Sequence, residues 1–240
     1  MKKIVKQIFD FSNNRTLFIN ILLSLFCLIG VLVLPSIFGY SFTKVFKNTT
    51  LCSLLGSSLF CIILLAIYSK DLGKEFKLFT KNFKKDFKTV VRYYVIGIVM
   101  MITFNILLIG ILKGTSQNED LVREVLFSNP VLMLINIVIV APITEELVFR
   151  KSVSTVFKNK WVFAIMSGIL FGGAHIMTNV FSGTFILTDL LYILPYGSYG
   201  FAFALMDHTT KTTFSSIMVH SFHNLMNGLI LINLHFLGVL

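Results

Sequence analysis

Two adjacent glutamates interrupt a strongly apolar stretch of this sequence, in the decapeptide APITEELVFR at 141–150. Charged side chains within a membrane-spanning helix cost roughly 2.5–3.5 kcal/mol each on insertion scales and usually face the interior of the helix bundle. Glu146 and Arg150 are four residues apart, so on a helix they share a face and can neutralise each other. Glu145 lies about 100° further round the helix. It is therefore free to act as a general acid or base.

Other polar groups are expected to meet Glu145. At ~1.5 Å per residue, Glu145, His175 and Asn224 lie ~20, ~22 and ~20 Å from the lysine at one end of their own apolar segment. His220 lies one helical turn from Asn224 on the same face. Groups on three segments at similar depth predict one site, although each could instead be a hydrogen bond between helices. The histidines available as partners are His175, His220, His223 and His235.

The elements that must position these groups are apolar helices. The 240-residue chain is 55% hydrophobic and 13% charged, with a mean hydropathy of +0.84, whereas soluble domains carry about 25% charged residues. The fold class predicted is all-α, a polytopic transmembrane bundle of about seven spans. The apolar segments are about 16–40, 50–69, 93–112, 129–157, 161–180, 186–206 and 212–238.

Charge between the segments predicts their orientation. Lysine-rich regions at the N-terminus, at 70–92, at 158–160 and at Lys211 all fall on one side when the spans alternate, and the positive-inside rule makes that side cytoplasmic. The N-terminus is then cytoplasmic and the C-terminus outside. Pro195, Gly197 and Gly200 are expected to break the 186–206 span, and a re-entrant helix there would reverse the last span.

The basic loop 70–92 carries an apolar stripe at helical spacing, formed by Leu72, Phe76, Phe79, Phe83 and Phe87. Lysines lie between these positions, so the segment is predicted to be an amphipathic helix on an anionic lipid surface. A solvated basic loop is the alternative. The net charge of +10 is thus explained by a membrane surface, and no nucleic-acid partner is expected.

Three motifs together resemble a known family. They are Glu145-Glu146-x-x-x-Arg150, Phe171-x-x-x-His175 and His220-x-x-x-Asn224, one on each of three segments between about 140 and 228. This set is similar to that of the CAAX-protease and bacteriocin-processing membrane proteases, also called the Abi family. Lys151 stands where the family commonly has glycine. His223-x-x-x-Asn227 fits the last motif one turn later, but SSIMV before His220 and SFHNL after it suit the family frame better.

The resemblance implies an intramembrane endopeptidase. Glu145 would activate a water molecule that His175 helps to hold, while His220 and Asn224 would donate hydrogen bonds to the oxyanion. Glu146 and Arg150 would brace the helix, and Phe171 would pack beside His175. The broken helix near Pro195 would admit water. The implied division is 1–127 for the N-terminal spans and 128–240 for a catalytic four-helix core, within a single integral membrane domain.

Metal dependence stays open at this point. Glu145, His175 and His220 could bind Zn²⁺, but the HExxH spacing of zinc proteases is absent from the sequence. No obligatory cofactor is expected.

The expected location is a bacterial plasma membrane, and the expected substrate is a peptide or membrane-anchored protein. Two other functions fit the composition. One is a non-catalytic bacteriocin-immunity or scaffold protein of the same fold. The other is a proton-coupled transporter, which an inverted repeat would favour.

Overall fold

The computed structural model describes residues 15–108, 110–111 and 116–239. Lys2, Lys3 and Lys6, on which part of the predicted orientation depends, lie outside these ranges. The described residues are helical, without a strand. Seven helices follow in chain order: α1 Leu17–Phe42, α2 Thr49–Leu108, α3 Gln117–Ser128, α4 Pro130–Val156, α5 Lys160–Phe181, α6 Ile193–Thr210 and α7 Phe214–Phe236. The predicted all-α membrane bundle is therefore present.

Helix α2 joins two predicted spans. Segments 50–69 and 93–112 were expected to be separated by a loop, but the backbone stays helical from Thr49 to Leu108. The intervening residues are mostly lysine, leucine and phenylalanine without proline, so nothing there stops a helix. At 1.5 Å per residue its contour is ~90 Å, about three times the bilayer core, so only part of α2 can lie in the membrane.

Part of the apolar stripe of α2 packs against the rest of the protein, and part is exposed. Leu72 is buried, and the rings of Phe76 and Phe79 lie 5.3 and 6.0 Å from that of Phe214 at the start of α7. Phe83 and Phe87 are exposed. The predicted helix at 70–92 is thus present, and its N-terminal part docks on the bundle.

Helix α4 contains two π-helical turns. π-Helical turns at Asn136–Val140 and Leu147–Ser152 enclose an α-helical turn at Ala141–Glu146. Pro142 lies at the start of that central turn. Each π-turn adds a residue to a helical turn, and such turns are frequent at functional sites. The two glutamates therefore lie between two local irregularities of one helix.

Helix α6 is continuous where a break was expected. A 3₁₀ turn, Leu187–Tyr192, leads into it, and Pro195 lies in its first turn, where the missing N–H breaks no hydrogen bond. Gly197 and Gly200 pack on α5 instead: a Cβ at Gly200 would lie 2.7 Å from Gly168 Cα. The predicted interruption of 186–206 is wrong, because these glycines permit close helix packing.

Four helices of the described chain are long and apolar enough to cross a membrane: α1, α2, α4 and α5. The sequence predicted about seven spans, and α6 and α7 do not meet the same measure of length and composition. The structure thus supports a membrane bundle, while the number of spans and the cytoplasmic N-terminus remain predictions.

Candidate active site

The centre of the site is a buried ion pair within α4. Glu146 Oε2 lies 2.8 Å from Arg150 Nε, and both side chains are 0% exposed. The guanidinium carbon of Arg150 lies 4.5 Å from the ring centre of Phe171 and 5.4 Å from that of Phe203. A cation between two aromatic faces is stabilised by their quadrupoles. The pair expected from the i, i+4 spacing is thus present and enclosed.

His220 of α7 connects the two glutamates. Its Nδ1 lies 2.8 Å from Glu146 Oε1, and its Nε2 lies 3.8 Å from Glu145 Oε2. Glu146 is paired with Arg150, so its carboxylate accepts the hydrogen bond and His220 donates from Nδ1. A neutral His220 then carries a lone pair on Nε2, and only the imidazolium can donate from that atom.

Glu145 has a different environment from its neighbour. Its side chain is 23% exposed, and within the described chain its carboxylate accepts no hydrogen bond. A carboxylate that no donor holds can accept a proton from water. The two consecutive glutamates therefore differ in the way that their helical positions predicted.

His175 of α5 is fixed by two aromatic neighbours and its own backbone. Its Nδ1 donates to Phe171 O at 2.8 Å, because a carbonyl can only accept. Its ring is stacked on Tyr196, with 4.4 Å between centroids, and lies 4.5 Å from the ring of Phe171. Because Nδ1–H is donated to Phe171 O, a neutral His175 has Nε2 as an acceptor.

Asn224 contacts a backbone group and not the carboxylates. Its Nδ2 donates to Ile137 O of α4 at 2.7 Å. The sequence placed Asn224 on the His220 face, and both residues do contact α4. The amide that was expected to donate to an oxyanion already has a partner.

The alternative motif one turn later has other contacts. His223 lies 3.2 Å from the hydroxyl groups of Tyr94 and Tyr199, and Asn227 Nδ2 lies 2.8 Å from His223 Nε2. His235 stacks on Phe127 with 4.1 Å between centroids. Within the described residues, the frame with His220 is the one that contacts Glu145 and Glu146.

Sequence reasoning missed a buried acid beside this site. Asp207 of α6 accepts hydrogen bonds from Ser216 N at 3.3 Å and Ser216 Oγ at 2.8 Å. Glu75 of α2 accepts from Thr213 N at 2.8 Å. Both carboxylates satisfy the N–H groups that begin α7, as a side-chain cap does. The available signal for Asp207 was an acid directly after the apolar segment 186–206.

A cavity of about 300 Å³ opens at the end of the bundle that carries Lys158 and Lys211. Arg150, Asp207 and Glu75 line it, with Ser154, Phe157, Phe163, His208, Thr212 and Thr213. The cavity thus reaches the ion pair from the predicted cytoplasmic side. It does not arise from a broken α6.

The proposed metal ligands do not form a binding group. Nε2 of His175, Nε2 of His220 and the Glu145 carboxylate are suitable donors in their chemistry. Within the described residues, however, no three His, Cys, Asp or Glu side chains are grouped closely enough to hold a metal ion. Glu145, His175 and His220 therefore do not form such a group in the described part of the chain.

Comparison with known proteins locates a similarity in the same part of the chain. Residues 127–226 match the family model described as type II CAAX prenyl endopeptidase Rce1-like, which is less than half of the sequence. The family resemblance drawn from the three motifs is confirmed over these residues, which we call the Rce1-like region. It contains all seven motif residues and ends one residue before Asn227.

Two curated relatives also match. An uncharacterized protein of Mycoplasma capricolum subsp. capricolum is 34% identical over 103 residues, which is 42% of this chain and 28% of the relative. The "Putative membrane peptidase YdiL" of Bacillus subtilis (strain 168) is 30% identical over 112 residues, 45% of this chain and 41% of the relative. The chain thus spans well under half of either relative. No solved structure matches.

Proposed function

We propose that this protein is an intramembrane endopeptidase that hydrolyses a peptide bond of a peptide or membrane-associated protein. One observation carries the proposal: Glu145 has no hydrogen-bond donor in the described chain, while Glu146 beside it is buried against Arg150 and His220. The similarity of the Rce1-like region to CAAX prenyl endopeptidases supports the same reaction class.

In the proposed reaction, Glu145 takes a proton from a water molecule that also donates a hydrogen bond to His175 Nε2. The hydroxide attacks the carbonyl carbon of the scissile peptide, and the carbonyl oxygen becomes an oxyanion. Glu145 then gives the proton to the leaving nitrogen as the C–N bond breaks, so that water is consumed and two peptides form. General acid–base catalysis of this kind contributes about 10²–10⁴-fold.

His220 stabilises the oxyanion in this proposal. Its Nδ1–H is already donated to Glu146, so donation from Nε2 requires the imidazolium. The carboxylates of Glu146 and Glu145 lie 2.8 and 3.8 Å from the two ring nitrogens of His220. Arg150 balances the charge of Glu146.

We propose that 128–240 is the catalytic core, formed by α4 to α7, and that the lysine stripe of 70–92 contacts anionic lipid. The exposed rings of Phe83 and Phe87 between lysines support that contact. A bacterial plasma membrane is the proposed location, with several spans.

The test compares peptides from cells that lack the gene and are complemented either with wild type or with Glu145→Gln at matched protein levels. A fragment that appears only with wild type is the expected result, and it identifies a substrate. If peptide profiles match while both proteins restore the phenotype of the deletion, the protease proposal fails and the scaffold or immunity function is favoured.

A further inference from the structure

The hydrogen bond from Asn224 to the main-chain carbonyl of Ile137 is unusual for a residue within a helix. A main-chain carbonyl in a helix normally accepts from its own helix, yet Ile137 O accepts from a side chain of α7 at 2.7 Å. Ile137 lies in the π-turn Asn136–Val140, which ends two residues before Pro142. The explanation must therefore lie in the hydrogen-bond pattern of that turn.

In a π-helix each N–H donates to the carbonyl five residues back. Ala141 N–H follows this rule and donates to Asn136 O. The next donor in the register would be residue 142 for Ile137 O, but residue 142 is proline and has no N–H. Ile137 O would then lack a donor, which is costly away from water. The Asn224 amide supplies the missing hydrogen bond.

This bond also bears on the direction of Glu145. An extra residue in a turn rotates every later residue by about 100° relative to an uninterrupted α-helix. Glu145 lies three residues after Pro142, so the π-turn sets the face on which its carboxylate emerges. If the turn returned to α-helix, Glu145 would move away from His220, whose Nε2 is now 3.8 Å from its Oε2.

We propose that Asn224 is a positioning residue that holds the π-turn of α4 by replacing the N–H that Pro142 lacks, and thereby orients Glu145. The catalytic consequence rests on the proposed protease function, whereas the effect on the helix does not. This role differs from donation to the oxyanion, which would require the Asn224 amide to face the substrate.

A double-mutant cycle tests the proposal. Asn224→Ala removes the side-chain donor, and Pro142→Ala restores the missing N–H, so the two changes should compensate each other. In the wild-type background, Asn224→Ala should lower the melting temperature in detergent and reduce kcat about tenfold, with little change in KM. In the Pro142→Ala background, the same substitution should change both quantities much less.

Asn233→Ala is the matched control, because Asn233 Nδ2 on the same helix also donates to a backbone carbonyl, Leu229 O, at 2.7 Å. Asn233 is exposed and lies outside the site. Its loss should have a small effect that is equal in both backgrounds.

An equal loss of kcat in both backgrounds, with an unchanged melting temperature, would overturn the proposal and favour the oxyanion role. If Pro142→Ala does not fold, Asn224→Asp decides, because its carboxylate would face Ile137 O and should lower the melting temperature. An unaltered melting temperature for Asn224→Asp would also overturn the proposal. If wild type cleaves no peptide, the protease function fails, and the melting-temperature cycle still measures the coupling of Asn224 to Pro142.

Discussion

Glu145 and Glu146 are consecutive, but their side chains leave α4 about 100° apart and meet different neighbours. Glu146 is buried against Arg150 and His220, whereas Glu145 is 23% exposed and lies 3.8 Å from His220 Nε2. At the scale of single residues, this difference makes one carboxylate a candidate for proton transfer and the other part of the framework.

The same substitution at these two positions should therefore have different effects. Glu145→Gln should lower the rate of cleavage by about 10²-fold or more and leave the melting temperature close to that of wild type. Glu146→Gln should lower the melting temperature, because it leaves Arg150 buried without a counter-charge. Peptidase assays and thermal unfolding of both purified proteins check the prediction. Wild-type turnover by Glu145→Gln would remove Glu145 from the reaction.

Arg150 should be needed for folding before it is needed for activity. Arg150→Ala leaves Glu146 uncompensated at 0% exposure, and breaking a buried ion pair costs about 3–5 kcal/mol. We expect a lower yield and a lower melting temperature together with lost activity. Lys160→Ala is a suitable control, because that cation is exposed. Normal yield and stability of Arg150→Ala would contradict a supporting role for the ion pair.

At the scale of elements, α5 and α6 lie close together because glycines remove side chains from their contact. A Cβ at Gly172 would lie 2.6 Å from Ile193 O, and one at Gly168 would lie 2.9 Å from Gly197 O. Close packing of small residues is a usual way to join helices in membranes. This contact holds His175, on α5, against Tyr196, on α6.

Two neighbouring glycines test this packing. Gly172→Ala should force α5 and α6 apart and destabilise the protein by about 1–3 kcal/mol, with reduced activity because His175 moves. Gly173→Ala is the control, since its Cβ would have nothing within 4 Å, and it should be neutral or slightly stabilising. Equal melting temperatures of the two variants would contradict the proposed role of the glycine contact.

At the scale of the whole molecule, the lysines near the ends of the helices still predict how the bundle sits in the membrane. Lys158 and Lys211 lie at one end of the bundle, beside the cavity that reaches Arg150. Lys47 lies in the connection between α1 and α2, which the predicted topology places on the other side.

Labelling of introduced cysteines measures this orientation. Lys158→Cys and Lys211→Cys should react with a membrane-impermeant maleimide only after cells are permeabilised, whereas Lys47→Cys should react in intact cells. All three lysines are exposed, and native Cys27, Cys52 and Cys61 are buried, so the unmodified protein gives the background. Labelling of Lys158→Cys and Lys211→Cys from opposite sides would contradict the topology.

Features that depend on local spacing could be predicted from the sequence. The i, i+4 relation of Glu146 and Arg150, the apolar segments and the helix at 70–92 follow from helical periodicity, which one chain segment contains in full. The three motifs likewise indicated the family resemblance found over the Rce1-like region.

Features that depend on contacts between distant segments could not be predicted in this way and are seen in the folded chain. Pro195 and two glycines look like a break in sequence, but packing against α5 makes them part of a continuous α6. The partner of Asn224 is a carbonyl 87 residues away, and Asp207 caps another helix. A carbonyl without a donor accepts a hydrogen bond from whichever helix packs beside it, and a glycine admits whichever helix lies against it. The local sequence pattern therefore cannot identify these partners.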